Sequence, residues 1–265
     1  MRIKVFQFDV KDGKVQENIE KVKNMFDSEN LSETDAVVLP EMWTSGYDLP
    51  NIEEYAERNL ESIFSIMSEL AKQNDVYIIA GSVPNIKEGP GVYNTGFVVD
   101  SKGQLVHEYS KMHLVPMLNE PEYLEAGNES AKPFTLNGEN VGLAICYDLR
   151  FPELFRDLAM AGAKVIFVVA EWPIERTDHW LTLLKARAIE SQCYVVASNI
   201  VGTQSNQTTF AGHSIIINPF GEVLSEAPSD EEAVISADLD LEYIEKIRKE
   251  IPIFDSRRKD LYKNL

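Results

Sequence analysis

The sequence predicts an α/β fold, because short apolar runs typical of buried strands alternate with longer stretches that carry apolar residues at helical spacing. In the first third of the chain this alternation reads β-α-β-α-β. The strands are predicted at 3–8, 36–39 and 76–83, and the helices at 18–26 and 60–71. Such an order favours a sheet whose strands are joined by helical crossovers.

The middle of the chain changes character. Tyr93 to Asp100 and Leu105 to Lys111 are predicted strands joined by the short link Ser101-Lys102-Gly103, so part of the sheet is expected to be antiparallel. A long irregular segment follows up to Gly127. Loops of this length inside a compact domain are usually functional.

The alternating pattern then resumes and continues almost to the end. Strands are predicted at 141–145, 164–170, 194–199 and 213–218, with further strands ending near Asp240, and helices at 151–161, 177–192 and 241–250. Gly162 suits a helix C-cap. No linker or repeat interrupts the pattern, so one domain spanning 1–265 is expected, with 251–265 as an extended tail.

Composition narrows the functional class. Of 265 residues, 44% are hydrophobic and 26% charged, with a formal net charge of −18, which disfavours nucleic-acid or anionic-membrane partners by long-range repulsion. No apolar run is long enough to span a bilayer, and the start MRIKVFQFDV alternates like a strand and does not resemble a signal peptide. A cytoplasmic protein is expected. Two cysteines are too few for a disulfide framework.

One cysteine sits where chemistry is expected. In VGLAICYDLRFPE, Cys146 ends a buried strand and Pro152 suits the first turn of a helix. Ligands bind at the carboxyl ends of strands in open α/β sheets, and a helix start stabilises an anion such as a thiolate. Buried cysteines are more often small core hydrophobes, so further evidence is needed. Cys193 starts a strand and is expected in the core.

Two charged residues supply that evidence. Glu41 follows the strand ending in VVLP, and Lys111 closes the strand LVHEYS. If these strands neighbour the Cys146 strand, the three side chains converge at one edge of the sheet. A glutamate can remove the thiol proton and return it to a leaving amine, while a lysine and the backbone N–H of Tyr147 can stabilise an oxyanion.

Other chemistries fit less well. A cysteine–histidine hydrolase would need His113, His179 or His213 beside Cys146, and position alone does not dismiss His113. The four histidines show no metal-binding spacing, and the glycines at 89 and 91 lead no helix that could hold phosphate.

The blocks LPEMW, YSKMHL and GLAICYDLRFPE, around Glu41, Lys111 and Cys146, resemble the three signature blocks of the nitrilase, or carbon–nitrogen hydrolase, superfamily. Later stretches match as well, so the resemblance covers nearly the whole chain. It implies a four-layer αββα sandwich of two mixed sheets, a Cys-Glu-Lys triad, no metal or organic cofactor, and a homodimer. It also implies a second glutamate after the lysine, which is Glu120 by spacing, with Glu122 as the alternative.

Within the superfamily the chain is most similar to ω-amidases, which hydrolyse the terminal amide of 2-oxoglutaramate and related small carboxylated amides. A carboxylated substrate needs a cation in the cleft, for which Arg176 is the first candidate and Arg150 the second. Trp172, Trp43 and Tyr47 are expected to wall the pocket. Related branches act on deaminated glutathione, N-carbamoyl amines or nitriles. A non-catalytic binding module is the alternative of a different class, but it would not require the glutamates, lysine and cysteine.

Overall fold

The computed structural model describes residues 1–258 and 260–261. The strands are β1 Arg2–Gln7, β2 Ala36–Val38, β3 Glu57–Arg58, β4 Tyr77–Ile86, β5 Val92–Val99, β6 Leu105–Ser110, β7 Phe134–Leu136, β8 Glu139–Ile145, β9 Val165–Val169, β10 Tyr194–Ser198, β11 Ile215–Ile217, β12 Val223–Glu226 and β13 Ala233–Asp238. The α-helices are α1 Val15–Ser28, α2 Ile52–Tyr55, α3 Glu61–Asn74, α4 Glu120–Tyr123, α5 Pro152–Met160, α6 Thr177–Ser191 and α7 Leu241–Glu250. Short 3₁₀ helices cover Leu49–Asn51, Pro116–Leu118, Cys146–Arg150 and Ile174–Arg176.

Two mixed sheets form the centre of the molecule. The first has the order β13-β1-β2-β4-β5-β6, with β3 paired to β4, and the second has the order β12-β11-β10-β9-β8-β7. In each sheet the central strands are parallel and the outer ones antiparallel. The helical crossovers and the hairpin at β5 and β6 therefore follow the sequence prediction.

The sheets pack face to face, and one apolar core fills the space between them. Val5 and Ile79 of the first sheet belong to the same cluster as Leu143 and Val196 of the second. Helices α1 and α3 cover the outer face of the first sheet through a separate apolar cluster. Helices α5 and α6 cover the outer face of the second sheet, where Phe155 and Leu184 are fully buried. The αββα sandwich is confirmed.

The strand arrangement corrects one expectation. The strands that end near Glu41, Lys111 and Cys146 are not neighbours, because β4 and β5 separate β2 from β6 and β8 belongs to the other sheet. The three residues meet between two sheets and not at one edge of a single sheet. A periodicity argument assigns strands but not their sheet, so it could not show this.

Short elements account for the other differences. Helix α2, strand β3 and strand β7 lie in stretches without a clear apolar period, and α4 interrupts the segment predicted to be irregular. The expected tail 251–265 is turn-rich as far as it is described, and residues 259 and 262–265 lie outside the described residues. Across 1–258 and 260–261, no helix is both long and apolar enough to cross a membrane.

Candidate active site

Glu41 is held in a tight turn immediately after β2. The turn depends on Gly81 of β4, where φ is +60° and an added Cβ would lie 1.8 Å from the carbonyl oxygen of Pro40. Only glycine allows so close an approach. The backbone N–H of Met42 donates to Ser82 Oγ at 3.0 Å, which ties the turn to β4. The Glu41 side chain is thereby fixed in a fully buried position.

A buried ion network surrounds Glu41. Lys111 Nζ donates to Glu41 Oε1 at 2.9 Å and to Glu120 Oε1 at 2.8 Å, and all three side chains are fully buried. Burial alone lowers the pKa of Lys111, but the adjacent carboxylates of Glu120 and Glu41 outweigh burial and hold this pKa well above its ordinary value. Lys111 therefore stays charged at neutral pH.

Further donors complete this network. The Tyr47 hydroxyl lies 2.8 Å from Glu41 Oε1 and 2.6 Å from Glu120 Oε1. Asn94 Nδ2 donates to Glu41 Oε1 at 2.8 Å, and the backbone N–H of Val115 donates to Glu120 Oε2 at 2.7 Å. The structure thus brings Glu120 into the network.

Glu122, the alternative second glutamate, is exposed on α4. Glu120 begins that helix and is fully buried, with its side chain turned towards Lys111. The two positions therefore differ in both burial and contacts.

Cys146 lies at a sharp turn between β8 and the 3₁₀ helix Cys146–Arg150. Its φ is +46°, a left-handed conformation that is uncommon outside glycine and that often marks functional positions. Asp148 braces the turn, because its Oδ2 accepts from the backbone N–H of Ile145 at 3.1 Å and from the Tyr109 hydroxyl at 2.8 Å. The thiol is thereby presented from a rigid backbone.

The electrostatics at Cys146 differ from the sequence argument. Burial and the charge of Glu41 raise the pKa of the thiol well above its ordinary value, although Lys111 acts in the opposite direction. The helix that starts at Cys146 is a single 3₁₀ turn, too short to stabilise a thiolate as a long helix would. A protonated thiol beside a carboxylate is therefore the resting arrangement, and it requires a base.

Cys146 opens into a small cavity of about 320 Å³, including its mouth. Arg150, Arg176 and Trp172 line it, together with Tyr147. The Arg150 guanidinium lies over the Trp172 ring, with its Cζ 4.7 Å from the ring centroid. Burial and the nearby charge of Arg176 lower the pKa of Arg150. Both candidate arginines therefore lie on the same side of Cys146.

Of the three expected pocket aromatics, only Trp172 lines the cavity that contains Cys146. Trp43 is fully buried in the core between the first sheet and its helices, where its Nε1 donates to the Ala80 carbonyl oxygen at 2.8 Å. Tyr47 lines a neighbouring cavity, which is about 940 Å³ with its mouth included, besides forming its bonds within the ion network. Cys193, expected in the core, is fully buried there, and burial raises its pKa to about 11.

The histidines are engaged away from the thiol. His113 Nδ1 lies 2.7 Å from Asp148 Oδ1, and its ring stacks on Phe151. His179 and His213 contact Arg150 and Glu226 instead. Among the charged groups around the thiol, Glu41 has the largest effect on its pKa, which favours a carboxylate base over a histidine.

Sequence reasoning missed three residues of this site, Asn94, Asp148 and Glu171. The backbone N–H of Glu171 donates to Glu41 Oε2 at 2.8 Å. Glu171 follows β9 shortly after the strand ends, the same signal that singled out Glu41, and could have been found by it. Asn94 lies inside β5 and Asp148 inside the Cys146 turn, so neither carries such a signal.

Comparison with known proteins now decides the family. Residues 2–249 match the model of the family described as "Carbon-nitrogen hydrolase". The chain belongs to the carbon–nitrogen hydrolase family. Members of this family are enzymes that act on carbon–nitrogen bonds other than peptide bonds, and the resemblance to the nitrilase superfamily is confirmed.

Individual relatives of this carbon–nitrogen hydrolase match over their full length. A protein named "Hydrolase in agr operon" from Staphylococcus aureus is 46% identical over 99% of the chain and 100% of the relative. A 2-oxoglutaramate amidase from Bacillus subtilis (strain 168) is 45% identical over 98% of each chain. The crystal structure of a CN-hydrolase superfamily protein from Xanthomonas campestris, with an arsenic adduct in its active site, has a TM-score of 0.89 at 29% identity and 97% coverage of both chains. The expected similarity to amidases of the ω-amidase type is confirmed.

Proposed function

We propose that this enzyme hydrolyses the terminal amide of a small carboxylated substrate, such as 2-oxoglutaramate or succinamate, and releases ammonia through a thioester on Cys146. The observation that carries the proposal is the pair Arg150 and Arg176 in the cavity that holds Cys146. Within residues 1–258 and 260–261, neither arginine forms a salt bridge with a carboxylate.

Among the described residues, the arginine pair beside Cys146 has no carboxylate partner, although the protein is acidic. The protein has 43 acidic and 25 basic residues, so carboxylates are abundant. Burial lowers the pKa of Arg150 most and the charge of Arg176 adds to this effect, so an anion bound beside both guanidinium groups would be stabilised. Arginine binds carboxylates through two parallel hydrogen bonds, so a substrate carboxylate suits this place.

The relatives and the cavity agree with this substrate class. The Bacillus subtilis relative is named for 2-oxoglutaramate, a five-carbon amide with a carboxylate at the other end. With its mouth included, the cavity beside Cys146 is about 320 Å³, against about 940 Å³ for the neighbouring cavity. It favours a short dicarboxylic monoamide over a bulky peptide-like amide.

In the acylation half of the reaction, Glu41 removes the thiol proton as sulfur attacks the amide carbon. The oxyanion of the tetrahedral intermediate accepts hydrogen bonds from Lys111 Nζ and the backbone N–H of Tyr147. Glu41 then donates its proton to the amide nitrogen, the carbon–nitrogen bond breaks, and ammonia leaves. The acyl group remains on Cys146 as a thioester.

Deacylation repeats these roles with water. Glu41 removes a proton from the water that attacks the thioester carbonyl, and the same donors stabilise the second oxyanion. The carbon–sulfur bond breaks, the thiolate takes back the proton from Glu41, and the free acid leaves. Glu120 and Tyr47 keep Lys111 and Glu41 oriented throughout.

Ammonia release across a panel of amides tests the substrate class. The panel contains 2-oxoglutaramate, succinamate, glutaramate, an N-carbamoyl amine and an aliphatic nitrile, with valeramide as the uncharged counterpart of glutaramate. The proposal predicts turnover of the carboxylated amides and a much lower kcat/KM for valeramide.

Arginine variants separate carboxylate binding from general damage. Arg150→Met and Arg176→Met should each lower kcat/KM for glutaramate about 10- to 100-fold, as expected for losing a charge-assisted hydrogen bond, and should change valeramide hydrolysis little. Arg156→Met, on the neighbouring helix α5 and outside this cavity, is the control. Equal losses on both amides would refute the carboxylate assignment.

A further inference from the structure

Glu171 is a buried acid between the two reacting groups for which the reaction above gives no role. It follows β9 and is 1% exposed. It also lines both the cavity that contains Cys146 and the neighbouring cavity that contains Tyr47. Glu171 therefore lies where it can affect the groups of the active site.

The main chain of Glu171 contacts both reacting groups. Its backbone N–H donates to Glu41 Oε2 at 2.8 Å, the carboxylate oxygen that Lys111, Tyr47 and Asn94 leave free. Its carbonyl oxygen lies 4.0 Å from Cys146 Sγ. One peptide segment therefore sets the direction of Glu41 relative to the thiol.

The side chain of Glu171 anchors that segment. Its Oε2 accepts from Gln204 Nε2 at 2.9 Å, and Gln204 is itself 5% exposed. The next residue is anchored as well, because the backbone N–H of Trp172 donates to Asn199 Oδ1 at 2.7 Å. The contact with Gln204 thus fixes the side chain of the residue whose backbone N–H binds Glu41.

The surroundings of the carboxyl group favour its neutral form. Burial has the largest effect, and Glu41 and Asp12 add negative charge nearby, whereas Gln204 and the more distant Lys111 act in the opposite direction. The balance raises the pKa of Glu171 well above its ordinary value. Oε1 has no hydrogen-bond partner among the described residues. An unpaired carboxylate at such a place would be far costlier than a neutral acid.

We propose that Glu171 is a positioning residue whose main chain aligns Glu41 with Cys146. Its side chain is held as a neutral carboxylic acid, because it is buried beside Gln204 and close to the carboxylates of Glu41 and Asp12. The inference rests on the proposed roles of Glu41 and Cys146. A neutral acid can anchor the segment without adding a second negative charge beside the base. An ionised Glu171 carboxylate would repel the negative charge of a Cys146 thiolate and of an ionised Glu41, and would therefore disfavour both.

The test compares Glu171→Gln with Glu171→Ala. An amide keeps a neutral group of the same shape with a donor and an acceptor, whereas alanine removes the anchor. For each variant we would measure kcat and KM, the pH profile of kcat/KM, and the rate of Cys146 alkylation by iodoacetamide, read from its peptide by mass spectrometry. Rates are normalised to the alkylatable fraction of Cys146. Glu175→Gln, an exposed acid four residues further on, is the matched control.

Glu171→Ala should lower kcat about 10- to 100-fold with KM changed less than about twofold, as expected when reacting groups lose alignment. The acid limb of its pH profile should move to higher pH, because the backbone N–H of residue 171, no longer anchored, would stabilise the charged form of Glu41 less well. Glu171→Gln should restore most of kcat and leave the acid limb at its wild-type position. A purely structural role would reduce the active fraction and leave the pH profile of the remainder unchanged.

Three results would overturn the proposal. Wild-type kcat and alkylation in Glu171→Ala would remove the positioning role. A large increase in KM with unchanged kcat would make Glu171 a substrate contact. An acid limb shifted to lower pH in Glu171→Gln would show that the native group is ionised. If Glu171→Ala does not fold, Gln204→Ala tests the same anchor. The alkylation assay needs no amide substrate, so a wrong substrate class would not affect it.

Discussion

Replacing Lys111 with methionine tests the ion network most sharply. The change keeps the length of the apolar stem and removes the charge that bonds Glu41 at 2.9 Å and Glu120 at 2.8 Å. Both carboxylates are fully buried and would be left uncompensated. Removing one partner of a buried ion pair typically costs about 3–5 kcal/mol of unfolding free energy. We expect a loss in that range at neutral pH.

Urea unfolding measures this loss, and two further variants identify its cause. Lys164→Met removes the lysine of the half-exposed pair with Glu139, at 2.8 Å, and should cost about 0–1 kcal/mol. The double variant Lys111→Met with Glu120→Gln leaves one buried carboxylate where Lys111→Met leaves two. It should therefore be more stable than Lys111→Met alone.

Either of two results would show that the buried carboxylates are not the cause of the lost stability. A cost for Lys111→Met no larger than for Lys164→Met would show that the buried carboxylates tolerate the loss. A double variant less stable than Lys111→Met would show that charge repulsion is not the source of the loss. Near-absent amide hydrolysis is expected for Lys111→Met in any case, because the proposed oxyanion donor is missing.

Three further predictions follow from the same contacts. Gly81→Ala should lower both activity and stability, because its Cβ would meet the Pro40 carbonyl. The control Gly138→Ala has a similar positive φ but open space around it, so it should lower stability modestly and leave activity unchanged. Ammonia release and urea unfolding measure the two effects, and equal activities of the two variants would contradict the argument. Tyr47→Phe should lower kcat/KM about 10- to 100-fold by removing a hydrogen bond to buried carboxylates, and a change below twofold would contradict it. Because the pKa of the Cys146 thiol is raised in the folded protein, the unfolded chain loses this proton first as the pH rises. Above about pH 8.5 the free energy of unfolding of the wild type should therefore fall, relative to that of Cys146→Ala, by up to about 1.4 kcal/mol per pH unit. Parallel curves of unfolding free energy against pH would contradict this.

The sequence was sufficient to predict the five longer helices, most strands and the charged residues at strand ends. Glu41 and Lys111 were identifiable because each follows an apolar run that must be buried. The distance between them and their distance to Cys146 were not predictable, because no local pattern encodes the strand order within a sheet or the packing of one sheet on the other. The two-sheet architecture came only from resemblance to a family.

The site details that escaped prediction have a common physical origin. The orphaned arginine pair, the left-handed backbone at Cys146 and the raised pKa of its thiol all depend on neighbours distant in sequence. Trp43 shows the same limit, because an aromatic side chain two residues after the proposed base Glu41 can equally turn into the core. The homodimer and the cytoplasmic location stay predictions.

The central claim is that Cys146 carries the acyl group during turnover. Enzyme mixed with its preferred amide, quenched in acid within milliseconds and digested, should show the substrate acyl group on the peptide that contains Cys146 and not on Cys193. Glu41→Gln should abolish its formation from the amide. An adduct on another residue, or wild-type ammonia release by Cys146→Ala, would contradict the account.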